Sequence, residues 1–459
     1  PVSQNNPFLG SGSYNSNGGR GRGNNITVDN IVTTDMSVTG TGGPMAAVTF
    51  TQIKEVKVIT NNFSAEYGRN SSSQLMYITQ SGTNDFHGEA YEFFRNNVLN
   101  ARPFFDTSGK PNVIRYNLYG YGIGGPIIRN KLHFYTTYEG FKQRGASPPR
   151  IAQVPTASML AQVTDPTSKA LLDQYKLPAA AIDQGTTGTV PQSAANRDDN
   201  WQWSVRIDYQ WLKNNTLTFR FNDAQTQSAS AGLTFIGTNL ANFGANSQNK
   251  PRQISVSDTH VFGASIVNEA RFAYSRSFPE FPINSTVPLG PRITFADGSV
   301  SSFGVWEGLP QGRGQEPYQF ADTVSIVRGA HTVKVGFDAY IYRAPSFFDA
   351  LQRPLLSFNN WADFAAGRPN TVQQRFGTSV LNNNVNNHFY FLQDDWKVNR
   401  DLTLNLGVRV EVAEGVKERD GLISNLNLGC RDSIGAAGSG PVGCLVTGQP
   451  SFGTNTNWA

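Results

Sequence analysis

Residues 201–211 constrain the fold more than any other segment, because apolar and polar side chains alternate along them without a break. A period of two is typical of a β-strand with one apolar and one polar face. Ten steps of roughly 3.3 Å cover about 33 Å, which a tilt of about 45° reduces to about 23 Å vertically. That height matches the apolar band of about 25 Å in an outer-membrane barrel, with its two aromatic girdles. The segment predicts a membrane-crossing strand with girdle residues Trp201, Trp203, Tyr209 and Trp211.

The composition is compatible with a barrel that crosses a membrane. Of the 459 residues, 38% are hydrophobic, and the mean hydropathy is −0.37. No run approaches about 18 consecutive apolar residues, so the sequence predicts no transmembrane helix. Barrel strands expose only alternate residues to lipid and need no such run. The net charge of +4 is scattered along the chain, without the basic stripe typical of nucleic-acid binding, so we expect no nucleic-acid partner.

Long strands recur from residue 86 onward. Apolar residues occupy the even positions of 402–412 and the odd positions of 331–341. In 86–95 and 388–396, either parity leaves an aromatic residue or an acid on the unfavourable face. We predict eleven strands, at 86–95, 116–125, 131–142, 199–211, 216–227, 252–261, 267–278, 317–327, 331–343, 388–398 and 402–412.

The connections between these strands alternate strictly between short and long. Short links include 126–130, 212–215 and 399–401, and the long ones are 96–115, 143–198, 228–251, 279–316 and 344–387. Outer-membrane barrels have short periplasmic turns and long extracellular loops, so we expect every long connection outside the cell. Within the second of them, apolar residues at helical spacing predict a short helix in 156–176.

The first part of the chain has a different character. Residues 1–82 are rich in Gly, Asn, Ser and Thr, with short β signals near 26–28, 56–59 and 75–79. We therefore expect a small mixed domain at 1–82 and barrel strands through 83–459. Residues 1–4 have neither the basic start nor the apolar stretch of a signal peptide, so we expect a mature form or a chain whose N-terminus is missing.

Three segments resemble the TonB-dependent outer-membrane transporters, especially their Oar-like subgroup. They are NGGRGRGNNITVD at 17–29, IKEVKVITNNFSAEYGRN at 53–70 and SGTNDFHGEAYEFFRN at 81–96. The hairpin QDDWKV at 393–398, followed by LTLNLGVR at 402–409, is similar to that family as well. The chain departs from the family at Asn30, where Gly is frequent, and at Gln80, where Lys is frequent.

The resemblance implies an all-β chain in which a small mixed plug domain occludes an antiparallel transmembrane β-barrel. The family barrel has about 22 strands, so eleven strands correspond to its N-terminal half. Residues 1–82 then correspond to the C-terminal part of the plug. Further implications are a location in the bacterial outer membrane and no cofactor.

The function implied is transport of a large or scarce solute, inward or in this subgroup outward, energised by the TonB complex of the inner membrane. The other expected partners are outer-membrane lipid and an extracellular substrate that the sequence does not identify. One alternative is a non-transporting surface protein, an adhesin or scaffold barrel that binds partners through its outer loops. Another is a secreted soluble β-protein, which leaves the tryptophan spacing and the loop alternation unexplained.

Five charged residues of the first domain are candidates for seating it against the barrel wall. By resemblance, Glu55 matches the acid of an Ile-Glu motif in the family's plug. The alternative for each candidate is an ordinary solvated charge, which we favour for all except Glu55. The five candidates are Arg20, Arg22, Glu55, Glu66 and Arg69.

The sequence contains no pattern that indicates catalysis or metal binding, and we predict no enzyme. None of the five histidines has a second histidine or a cysteine two or four residues away. The glycine-rich runs at 18–23 and 120–125 do not lie between a strand and a helix, so a nucleotide site is disfavoured. If their segment is an extracellular loop, Cys430 and Cys444 are expected to form a disulfide worth roughly 3 kcal/mol, with two free thiols as the alternative.

Overall fold

Two β-sheets dominate the part of the chain that the computed structural model describes. That part comprises residues 16–19, 23–34, 48–101, 113–146, 150–186, 188–193, 195–230, 238–422, 424–426, 445–447 and 455–458. One sheet is small and lies near the N-terminus, and the other is built from long antiparallel strands. None of the helices in these ranges is long and apolar enough to cross a membrane.

The small sheet, called the N-terminal sheet below, contains β1 (Asn24–Val28), β2 (Ile31–Val32), β3 (Ile53–Ile59) and β4 (Ser73–Thr79). Their order is β2-β1-β4-β3, in which only β1 and β4 are parallel. The turn between β1 and β2 holds Asp29 and Asn30 at φ values of 47° and 61°. Asn and Asp tolerate this left-handed geometry better than other residues with side chains. Asn30 can therefore occupy a position where the resembling family often has Gly.

The large sheet confirms the eleven predicted strands. Each of the eleven pairs antiparallel with its neighbour along the chain. Several extend past the predicted bounds at the end that carries the long connections. The eleven strands are His87–Asn96, Ile114–Ile128, Leu132–Ala146, Ala195–Leu212, Asn215–Ser230, Arg252–Phe262, Ile266–Arg276, Glu316–Arg328, His331–Phe348, Val380–Lys397 and Thr403–Ala413.

The large sheet curves into a barrel wall with an apolar outer face and a largely polar inner face. On the last strand, Leu406 faces outward and is 54% exposed, whereas Arg409 faces inward and is 7% exposed. The structure also resolves the parity of 388–396, because Phe389 and Phe391 are buried on the inner face and Tyr390 is exposed on the outer face. An outer face covered with exposed apolar side chains is what a lipid-facing barrel requires.

Links of two to five residues join the strands at one end of the sheet, and the long connections lie at the other end. The helices Ala157–Ala161 and Pro166–Tyr175 confirm the predicted helical segment, and a third helix, Trp361–Ala365, lies in a later connection. Two small sheets accompany them, one from Arg150–Val154, Ile182–Asp183 and Gly188–Gln192, the other from Arg292–Phe295, Leu355–Phe358 and Thr371–Gln373. The remaining strands are Phe243–Asn249, Glu280–Phe281, Ile283–Ser285, Gln311–Arg313, Lys417–Glu418, Ser424–Leu426, Leu445–Thr447 and Asn455–Trp458.

Four of the long connections share one apolar core, called the long-loop cluster below. Full burial of a large apolar side chain contributes roughly 1.5–3 kcal/mol to stability. The shared core therefore holds the four connections together as one unit rather than as separate loops. Its most deeply buried members include Val154, Tyr175, Leu240, Phe243, Ile293, Phe303, Leu309, Phe358 and Phe364.

Candidate functional site

The contact between the N-terminal sheet and the inner face of the large sheet is the candidate functional site. It consists mainly of ion pairs and hydrogen bonds. Two groups of residues form it, one around Asp29 and the other along residues 64–69.

The Asp29 contact joins the turn after β1 to the barrel wall. Oδ2 of Asp29 lies 2.7 Å from Nη1 of Arg220, whose side chain is only 2% exposed. A second guanidinium, that of Arg206, places its Nη1 3.7 Å from the same oxygen. Nη2 of Arg220 also donates to Gln253, at 2.7 Å. A buried arginine on a barrel strand is therefore neutralised by an acid of the N-terminal sheet.

Thr79, the last residue of β4, holds the Asp29 carboxylate in place. Its backbone N–H donates to Oδ1 of Asp29 at 2.9 Å, and its hydroxyl donates to Oδ2 at 2.6 Å. Arg206 donates in turn to the Thr79 carbonyl at 3.1 Å. Burial on its own raises the pKa of Asp29, but the guanidiniums of Arg220 and Arg206 and the hydrogen bonds from Thr79 outweigh it and lower that pKa below its ordinary value of 3.8. The carboxylate is therefore ionised at neutral pH.

The second contact holds residues 64–69, which precede β4, against three strands of the wall. Glu66, a predicted seating residue, accepts from Nζ of Lys334 at 2.7 Å. The Ala65 N–H donates to Oε1 of Gln393 at 3.0 Å, and its carbonyl accepts from Nη1 of Arg409 at 3.2 Å. A Cβ on Gly68 would lie 2.0 Å from Nε of Arg409, so a larger residue here would displace the Arg409 side chain from this contact.

Arg69, another predicted seating residue, is half-buried, and its guanidinium lies among aromatic rings. Its guanidinium lies 4.3 Å from the ring centroid of Tyr340 and donates to the hydroxyl of Tyr342 at 3.4 Å. The Arg69 backbone N–H donates to Oε1 of Glu411 at 3.2 Å. Nearby, Val32 packs into an apolar cluster with Tyr340, Tyr342 and Phe389. The cation–π geometry places an always-charged side chain where few water molecules can reach it.

The other predicted seating residues lie elsewhere. Glu55 is exposed on β3, and none of the ion pairs among the described residues involves it. Arg20 and Arg22 lie outside the described residues. A seating role stays a prediction for all five residues.

The four predicted girdle residues lie on the outward parity of strand 195–212. Trp203 and Trp211 are exposed, and Trp201 and Tyr209 are half-buried. The indole N–H of Trp203 donates to the hydroxyl of Thr136 at 3.1 Å, and that of Trp211 donates to the side-chain oxygen of Asn215. A ring in the apolar band with a hydrogen-bonded tip is suited to a membrane interface. Their membrane role stays a prediction.

The described residues contain no group of three or more His, Cys, Asp or Glu side chains that could hold a metal ion. Cys430 and Cys444 lie outside the described ranges, so the predicted disulfide stays a prediction.

Sequence reasoning missed the Asp29 contact. Asp29 is the last residue of the motif at 17–29, and nothing in that motif points to Arg220. The signal that points to this pair is an arginine at the centre of a predicted membrane strand. Burial of such a charge within a membrane protein costs free energy, so the charge is nearly always paired with an opposite charge or a backbone carbonyl.

A family model described as an outer membrane beta barrel domain matches residues 78–163 and 160–459. Because this match covers most of the chain, the chain belongs to that family of outer-membrane β-barrel proteins, and its location is the bacterial outer membrane. The large sheet is therefore part of an antiparallel transmembrane barrel, as predicted.

Individual relatives narrow the class. The TonB-dependent transporter Oar of Myxococcus xanthus is 21% identical, over 86% of this chain and 43% of its own length. Among solved structures, the outer membrane transporter YddB from Escherichia coli matches with a TM-score of 0.57 and 11% identity, over 91% of this chain and 54% of that one. The siderophore receptor PirA from Acinetobacter baumannii matches with a TM-score of 0.52 and 13% identity, over 87% and 51%.

These similarities confirm the resemblance to TonB-dependent, Oar-like transporters. The relatives are transporters and receptors rather than enzymes, in agreement with the prediction that the chain is not an enzyme. The chain spans about half the length of the relatives that it matches.

Proposed function

We propose that this chain is the plug-bearing half of a TonB-energised transporter that moves a large or scarce solute across the outer membrane. In this proposal residues 1–82 are the C-terminal part of the plug, and residues 83–459 are the first half of the barrel. Glu66 and Arg69 seat the plug, and Trp201, Trp203, Tyr209 and Trp211 anchor the wall at the membrane interfaces. The TonB complex pulls on the plug, and the long connections receive the solute outside.

The observation that carries the proposal is the polar nature of the contact between the N-terminal sheet and the wall. The Asp29–Arg220 ion pair at 2.7 Å and the Glu66–Lys334 ion pair at 2.7 Å fix the sheet at two places. Ionic groups specify one seated position, because removal of either partner leaves an uncompensated charge. The same groups accept water when the sheet moves, whereas an apolar contact would expose surface prone to aggregation.

The test compares solute depletion from a complex medium. Cells that carry the whole gene, cells that lack it, and cells that carry it without TonB are grown in parallel, and the medium is profiled by mass spectrometry. We expect at least one large solute whose depletion or release requires both the gene and TonB, and is stopped by an uncoupler of the proton-motive force. Gene-dependent transport that continues without TonB would refute the energised mechanism.

A non-transporting surface protein is the second candidate, and the long-loop cluster favours it. Its buried aromatic residues, including Phe303 and Phe364, give the outer side a preformed shape suited to binding a partner. Such a protein would retain partners on the cell surface in the absence of TonB and would show no gene-dependent change of solutes in the medium. The same three strains therefore separate the two functions.

A further inference from the structure

Three arginines lie directly opposite one another on adjacent strands of the large sheet. Arg115 is paired in register with Arg144, and Arg144 is paired in register with Arg197. Opposed residues of antiparallel strands have Cβ atoms about 4.5–5.5 Å apart, and like charges in such pairs are destabilising. Two strand spacings of about 4.8 Å place the three side chains in a row about 10 Å long. We call these three residues the arginine row.

The arginine row lies on the outer face of the wall. On strand 132–146, Tyr135 and Thr137 face inward, since both are hydrogen-bonded to the segment that precedes β3. The regular pairing from there to Arg144 puts this arginine on the opposite parity, facing outward. Its two register partners share that face, because directly opposed residues lie on one side of a sheet.

One acid accompanies the row. Asp199 accepts from Arg144 at 2.7 Å and from Arg197 at 2.5 Å. Within the described part of the chain, the ion pairs include none formed by Arg115 or by the exposed Lys142, which lies opposite Asp199. Four cations and one carboxylate leave a local excess of three positive charges.

A second group of arginines on the same face provides the contrast. Arg252 and Arg276 are also directly opposed. Each has its own acid, however, because Arg252 lies 2.8 Å from Asp223 and Arg276 lies 3.2 Å from Glu316. This pair is neutralised within the protein, whereas the arginine row is not.

With Trp201 as a residue of the predicted girdle, the arginine row lies at the height of lipid headgroups. Arg197 is four residues beyond Trp201, toward the end of the sheet with the long connections, or about 13 Å along the strand and about 9 Å along the membrane normal. Headgroup regions begin at the edge of the apolar band, where aromatic residues concentrate. A guanidinium reaches back several ångströms toward that edge because its aliphatic stem is long and flexible.

We propose that the arginine row binds a phosphate group on a lipid of the outer leaflet. The planar guanidinium donates two parallel hydrogen bonds to a phosphate, and adjacent guanidiniums let one or two phosphates bridge the row. The bound anion supplies the negative charge that the protein omits. This site is separate from the contact between the N-terminal sheet and the wall, and it does not depend on whether the protein transports a solute.

The test is native mass spectrometry of the protein extracted from outer membranes in mild detergent and titrated with three probes. The probes are bisphosphorylated lipid A, the same lipid after enzymatic dephosphorylation, and inorganic phosphate. We expect tight binding of the phosphorylated lipid alone. At about 1 kcal/mol for each basic residue near a membrane surface, R115Q/R144Q/R197Q loses about 3 kcal/mol, which lowers that affinity by somewhat more than about a hundredfold.

Two further variants keep the test decisive. R252Q/R276Q removes charge from the same face, and we expect unchanged lipid binding because those arginines are already paired. D199N removes the acid of the row, and we expect tighter binding of the phosphorylated lipid, a gain that a merely structural role does not produce. Equal binding of the dephosphorylated lipid, equal binding of inorganic phosphate, an equal loss in R252Q/R276Q, or weaker binding in D199N would each overturn the proposal.

Discussion

Substitution of Asp29 by Asn is the sharpest perturbation of the contact between the N-terminal sheet and the wall. The change keeps the size of the side chain and one oxygen that accepts from Thr79, while it removes the negative charge and replaces the second acceptor oxygen with an NH2 group. Arg220, 2% exposed, then lies beside a neutral amide at the place of its carboxylate partner. The N-terminal sheet loses the group that neutralises the wall.

The magnitude follows from the burial of the two side chains. Breaking a buried ion pair by removal of one partner costs about 3–5 kcal/mol. Asp29 is 23% exposed, and Gln253 still accepts one N–H of Arg220, so the lower end of that range applies. A loss of about 3 kcal/mol corresponds to more than about a hundredfold in an opening equilibrium.

The assay is hydrogen exchange of the β1 and β4 amides, measured by mass spectrometry on the protein in detergent micelles. We expect Asp29→Asn to speed exchange of these strands by about a hundredfold, while the amides of strand 331–348 keep their protection. The prediction concerns local opening of the N-terminal sheet, and the barrel strands therefore serve as the internal reference.

Two controls decide whether the reasoning is correct. Glu66→Gln removes a charge from an ion pair whose side chains are 22% and 33% exposed, so we expect a cost of about 1 kcal/mol or less. In the double variant Asp29→Asn/Arg220→Met, the unpaired charge is absent and protection returns most of the way. The reasoning is refuted if Asp29→Asn and Glu66→Gln have equal effects, or if the double variant is no better protected than Asp29→Asn.

Three further predictions follow from named residues. Folding lowers the pKa of Asp29, so the ionised carboxylate stabilises the fold fully when the pH is above the ordinary value of 3.8. This stabilisation is lost as the pH falls through the lowered pKa. Hydrogen exchange of the β1 amides, corrected for the intrinsic rate, should therefore rise only in that acidic window. Phe364→Ala should cost about 3–5 kcal/mol and open the long-loop cluster to protease, with the circular dichroism of the barrel sheet retained. Cys430 and Cys444 should resist alkylation until they are reduced, and two thiols labelled without reductant would exclude the disulfide.

The strands of the large sheet were predictable because one physical rule determines them. A lipid-facing strand must alternate, so the parity of segments such as 402–412 fixed both the element and its outward face. The parity of strand 388–396 was not predictable in this way, because its inward-facing aromatic residues, Phe389 and Phe391, do not face solvent. Phe389 packs with Arg69 and Val32 of the N-terminal segment, and local periodicity contains no information about that distant neighbour.

The contacts of the candidate seating residues were only partly predictable, and the reason is again one of distance along the chain. Glu66 and Arg69 belong to the motif at 53–70, which made them candidates. The sequence did not indicate their partners, because Lys334 and Tyr340 lie more than two hundred residues away along the chain. Asp29 lies in the turn after β1 with a positive φ. Only the fold shows that the turn also carries the acid for Arg220.

The long-loop cluster and the contact between the N-terminal sheet and the wall differ in the free energy that it takes to open them. The long-loop cluster is apolar and buried, so its opening exposes hydrocarbon to water at a cost that grows with area. The contact between the N-terminal sheet and the wall consists mainly of ion pairs and hydrogen bonds, and its opening exposes Asp29, Arg220 and Glu66, each of which water solvates well. Because hydration offsets most of the lost Coulomb attraction once the groups have separated, the barrier to release is concentrated in the first few ångströms of movement. We therefore expect a displacement of a few ångströms to break most of these polar interactions, whereas opening of the long-loop cluster costs more free energy as more apolar area is exposed.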